Sequence, residues 1–146
     1  MAAFFDKLTG RSPKKPEPQG LSAAELARAD VQYKAMLQTI QRTMSEMLRQ
    51  DSDKDSLYGA LSSEPGRLYL LNYALKIAAS ADLSKDATFG MNMGLFYAMF
   101  GETDGQRLWK AACDDLVNLN EQDSRGRASP TAMHLYRQGA EDAQQP

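Results

Sequence analysis

The chain has 146 residues, 42% of them hydrophobic and 25% charged, with 17 Lys and Arg against 19 Asp and Glu for a formal net charge of −2. That length fits one domain, able to bury about 68–70% of its unfolded surface without a covalent staple. The near-neutral charge and scattered basic residues exclude the electrostatic footprint of a nucleic-acid binder. A lone cysteine, Cys113, excludes an internal disulfide and points to a reducing, cytoplasmic setting.

Residues 1–20 read as a Pro/Gly-rich arm, distinct from a helical domain over 21–138 and a disordered tail over 139–146. Ala2 to Leu8 has the pattern of two amphipathic turns carrying Phe4, Phe5 and Leu8, after which Gly10, Pro13, Pro16, Pro18 and Gly20 prevent continuous helix. Asp6 and Lys7 interrupt the apolar start, which therefore lacks the core of a secretory leader. Lys7, Arg11, Lys14 and Lys15 make this arm mildly basic.

Ser22-Ala-Ala-Glu25 spells a capping box, flanked by Leu21 and Leu26 as a hydrophobic staple. From Leu26 the apolar residues Ala29, Tyr33, Met36, Leu37, Ile40, Met44, Met47 and Leu48 recur at three- and four-residue steps, predicting one long amphipathic helix to about Arg49. Asp51, Asp53 and Asp55 match the first ligand positions of a calcium loop, but Ser56 and Ser62 stand where glycine and a closing glutamate belong. An acidic loop entering a short helix over 54–62 is the better reading.

Ser63-Glu-Pro-Gly predicts a helix start. The helix that follows is densely apolar from Leu68 to Ala79, leaving Asn72, Lys76 and Ser80 as its polar stripe. The next helix, starting near Lys85 to Ala87, is notched by Gly90, Gly94 and Ala98 at four-residue spacing. A glycine inside a helix costs about 0.8–1.0 kcal/mol relative to alanine, so these three positions are expected to admit close packing of a neighbour, with Gly90 and Gly94 seating the Leu68–Ala79 helix. The uncharged run from Ala87 to Gly101 is shorter than the roughly 18 residues of a spanning helix. Thr103-Asp-Gly-Gln106 reads as a second capping box, Asn118 to Arg127 as turn-prone, and Ser129-Pro130 as the start of a last short helix through Tyr136. The expected fold is all-α: a compact bundle of five or six helices with a flexible N-terminal arm.

No constellation in the sequence carries catalysis. Cys113 and His134 have no local feature that would pair them, and one histidine with one cysteine cannot build a typical zinc site. Asp114 and Asp115 point about 100° apart on a helix and read as two solvated charges. Asn72 and Asn92, on the two most apolar helices, invite a cross-helix amide pair. The expectation is a non-enzymatic protein–protein interaction module (an adaptor, chaperone or accessory subunit) with no cofactor and no metal. Phe4, Phe5 and Leu8 would insert into a groove of a protein partner or a second copy. Two alternatives stand beside it: an arm anchored weakly on a membrane surface, and a small-ligand pocket drawing on Tyr69, Tyr73, Trp109, Lys76 and the methionines.

Overall fold

The computed structural model describes residues 21–50 and 53–145. The expected arm over 1–20, with Phe4, Phe5 and Leu8, lies outside the described residues, as does Asp51. The described residues form six helices and no strand: α1 (Ala23–Arg49), α2 (Lys54–Ser62), α3 (Glu64–Ser80), α4 (Lys85–Phe100), α5 (Glu102–Ser124) and α6 (Pro130–Ala143). None is long and apolar enough to cross a membrane.

Local chemistry accounts for most of the helix starts. The hydroxyls of Ser22, Ser63, Ser84 and Ser129 accept from the amides of Glu25, Gly66, Ala87 and Ala132, each supplying one orphan donor of a first turn. Asp53 does the same for α2, accepting from the Ser56 amide at 2.7 Å and its hydroxyl at 2.9 Å. These bonds, the backbone one foremost, hold its carboxyl below the usual range. The first capping box closes only by half, because Glu25 Oε1 accepts from the Ser84 amide at 3.1 Å, tying α1 to the start of α4.

Helix ends depart from expectation in three places. Thr103 does not cap α5: the helix begins at Glu102 after Gly101, whose φ of 88° makes the α4–α5 corner, with no side-chain cap. The stretch from Asn118 is helical through Ser124, polar because it faces solvent. The tail expected over 139–146 is also helical as far as Ala143, with Gly139 buried against the backbone of Tyr69.

The core is built around α4, whose Ala87, Met91, Leu95 and Phe96 are fully buried, and around Leu70, Ala74 and Ala78 of α3. The stripe of α1 joins it through Ala29, Tyr33, Met36, Leu37 and Ile40. Helices α3 and α6 pair antiparallel: Tyr69 donates to Asp142 Oδ2 at 2.6 Å, and Asn72 Nδ2 to the Tyr136 carbonyl at 2.6 Å.

At Gly94 the nearest neighbour belongs to α1 and not to the expected α3. Gly94 is pressed by Tyr33 of α1: a Cβ there would lie 2.7 Å from Tyr33 Cε1, and the Tyr33 hydroxyl donates to the Gly94 carbonyl at 2.9 Å. Gly90 is buried, whereas Ala98 is exposed. The expected Asn72–Asn92 pair does not form, since Asn72 bonds to α6 and Asn92 Nδ2 donates back to the Thr88 carbonyl of its own helix at 3.0 Å.

Candidate functional site

Among the described residues, two apolar recesses open on the bundle, one toward each end of α3. The larger, of about 460 Å³, lies where the C-terminal part of α1 (Met44, Met47), α2 (Leu57, Leu61) and the first turns of α3 meet Leu135 of α6. It exists because, among the described residues, the stripe of α1 outruns its cover. At about 1.5 Å per residue, the 27 residues of α1 reach roughly 40 Å and the 16 of α4 only about 24 Å. Beyond Ile40 the stripe continues as half-buried Met44 and then Met47 and Leu48, 41% and 38% exposed. Helix α2 closes the groove without burying any residue of its own. Tyr69 and Asp142 form its polar end, and burial followed by the bond to Asp142 raises the Tyr69 hydroxyl well above its ordinary range. A tyrosine so held stays protonated and serves as a donor.

The second recess, of about 360 Å³, is lined by Leu71 and Leu75 of α3, by Leu83 of the α3–α4 connection, by Lys85, Thr88, Phe89 and Asn92 of α4, and by Trp109, Cys113 and Leu116 of α5. The Phe89 ring meets Trp109 edge-on, with centroids 4.9 Å apart. Two buried polar atoms of its lining residues, Asn92 Oδ1 and Trp109 Nε1, have no hydrogen-bond partner among the described residues. Each such group costs about 1–3 kcal/mol when left unsatisfied. Burial, then the charges of Asp114 and Asp115, raises the Cys113 thiol, which is therefore not an activated thiolate.

The structure separates several residues that were weighed together on sequence grounds. Cys113 lines the second recess, whereas His134 sits exposed on α6 and lines a different one. Tyr69 belongs to the α1–α2 groove, Trp109 to the α4–α5 recess, and Tyr73 is buried at 4% exposure. Asp114 is exposed as expected, but Asp115 is not a solvated charge: its carboxylate takes a bidentate pair from Arg67, Nε at 2.7 Å and Nη2 at 3.1 Å. Arg67 also donates to the Ser62 carbonyl at 2.6 Å, so this buried pair locks the α2–α3 joint onto α5. The available signal was Arg67 itself, a charge at the entrance of an otherwise apolar helix. Among the described residues, no three His, Cys, Asp or Glu side chains converge as a metal-ligand set.

No family model matches the chain, and no curated protein or solved structure is found to be similar to it.

Proposed function

We propose that the protein is a non-catalytic helical interaction module, an adaptor, chaperone or accessory subunit, whose α1–α2 groove receives the apolar face of an amphipathic helix from a protein partner. The observation that carries this reading is the unpaired end of the α1 stripe. Past the half-buried Met44, Met47 and Leu48 continue the helical spacing that Tyr33, Met36 and Ile40 use for the core, yet among the described residues no helix covers them. Residues repeating at three- and four-residue steps along a groove are the anchors helix-in-groove recognition uses. Methionine is unbranched and polarizable, and so suits an adaptable contact. The polar Tyr69–Asp142 end gives such a helix a fixed orientation.

A photo-crosslinking amino acid placed at Met47, in the full chain and in its native host, tests this. The expected result is a discrete protein adduct that fails to form from Gln38, exposed on the same helix. Crosslinking only to a second copy of the chain would make the groove a self-association surface. Equal, diffuse labelling at both positions would overturn the reading.

A further inference from the structure

The second recess carries an inference independent of the groove. Asn92 is 3% exposed, and its amide orientation is fixed: Nδ2 donates to the Thr88 carbonyl at 3.0 Å, and the flipped amide would set oxygen against oxygen. That leaves Oδ1 as a buried acceptor without a donor among the described residues. Trp109 contributes the opposite deficiency, an indole N–H without an acceptor. Both residues line one concave surface whose apolar walls are Leu71, Leu75, Leu83 and Leu116, with Thr88, Cys113 and the exposed Lys85 completing the lining. Phe89, 45% exposed and resting on the indole edge, forms its lip.

We propose that this recess binds a compact, uncharged small molecule with an aromatic or aliphatic body that offers one hydrogen-bond donor and one acceptor, as a primary amide does. The donor meets Asn92 Oδ1 and the acceptor meets Trp109 Nε1, with Phe89 displaced to admit the body between the leucines. A carboxylate lacks the donor that Asn92 requires, and an ammonium lacks the acceptor that Trp109 requires. An ammonium would also meet the like charge of Lys85, and a carboxylate that pairs with Lys85 still leaves Asn92 Oδ1 without a donor. A volume near 360 Å³ falls at the lower end of small-molecule pockets, which span about 300–1,000 Å³.

The chain supplies its own reporters, because its one tryptophan and its one cysteine both line the recess. The full chain is titrated with benzamide, benzoate and benzylammonium, following the Trp109 indole N–H resonance and the rate at which iodoacetamide alkylates Cys113. Benzamide is expected to shift the resonance and slow alkylation, with the two charged analogues at least about tenfold weaker. Asn92→Leu should weaken benzamide by about tenfold, and Trp109→Phe, read through Cys113 alkylation, provides the same test should Asn92→Leu fail to fold. Equal binding of all three probes, or no response to any, overturns the proposal. So does a Phe4→Ala, Phe5→Ala, Leu8→Ala variant in which Trp109 becomes newly open to acrylamide quenching, since the chain's own N-terminal segment would then be the occupant.

Discussion

The two halves of α1 share one apolar periodicity and meet different fates. In the N-terminal half, Ala29, Tyr33, Met36 and Ile40 are at most 3% exposed, and polar ties reinforce the packing. Glu25 accepts from the Ser84 amide, Arg28 Nη1 donates to the Ala81 carbonyl at 3.3 Å, and Tyr33 donates to the Gly94 carbonyl. In the C-terminal half, Met47 and Leu48 stand at 41% and 38% exposure beside a short helix with no buried residue. Spacing therefore specifies which face of a helix can be buried, and the length of its neighbours decides how much of that face is.

The sharpest way to break this contrast is to delete the same kind of side chain on both sides of Ile40. Met36→Ala, removing a side chain 1% exposed within the main core cluster, should cost about 2–5 kcal/mol in urea denaturation, because the space it leaves cannot fully collapse. Met47→Ala should shift the same transition by less than about 0.5 kcal/mol. Equal losses would mean that the C-terminal half is covered after all.

Gly94→Leu attacks the joint from the other side. The Tyr33 ring occupies the space that the new side chain needs, so the overpacked helix pair should lose about 1–3 kcal/mol. Ala98→Leu, one helical turn on and exposed, should stay within about 0.5 kcal/mol of the parent. Both are read from thermal melts, and a destabilising Ala98→Leu would restore the three-residue notch expected from spacing.

Tyr33 adds a pH signature confined to the packed half. Burial first, and then the negative charge of Asp30, pushes its hydroxyl up to about 12 from an ordinary value near 10. Between these values the unfolded chain has lost the proton that the folded chain keeps, so the unfolded state binds fewer protons and stability falls as pH rises. The contribution is complete below pH 10 and lost toward pH 12, at up to about 1.4 kcal/mol per pH unit. Tyr69 and Tyr73, also raised, add their own alkaline losses, so the informative quantity is the difference between the parent and Tyr33→Phe. Urea transitions at pH 9, 10 and 11 should show a shallower decline in the variant; parallel curves would place the Tyr33 hydroxyl in contact with water.

Much of the architecture was legible in the sequence because it is written locally. Ser22, Ser63 and Ser129 cap the helices they were expected to start, and the all-α bundle follows from the apolar periods between them. What escaped is set by contacts distant in sequence. Nothing near Gly94 shows that Tyr33, 61 residues earlier, fills its notch, and nothing near Asp115 announces Arg67, 48 residues away. The polar run after Asn118 resembled a turn because an exposed helix face and a loop share a composition, and only the position of Gly126, with φ of 68°, marks the real end of α5. The two recesses were illegible for the same reason: each is assembled from three or more helices, and the candidate residues Tyr69 and Trp109 fall into different ones.

The smallest expected effect on stability is the most informative about function. Met47→Glu with Leu48→Glu places two charges on the uncovered end of the stripe, where both parent side chains already contact water, so the bundle should melt within about 0.5 kcal/mol of the parent. The charge at position 47, which lines the groove, would face the apolar side of any helix seated there with the second charge beside it, and desolvating it is costly enough to abolish docking. Crosslinking from Leu57, on the opposite wall of the groove, then separates two ways of losing a partner: a folded double variant that no longer forms the adduct locates recognition on the stripe, whereas a folded variant that still forms it moves the contact away from α1 and leaves α2 as the surface to map.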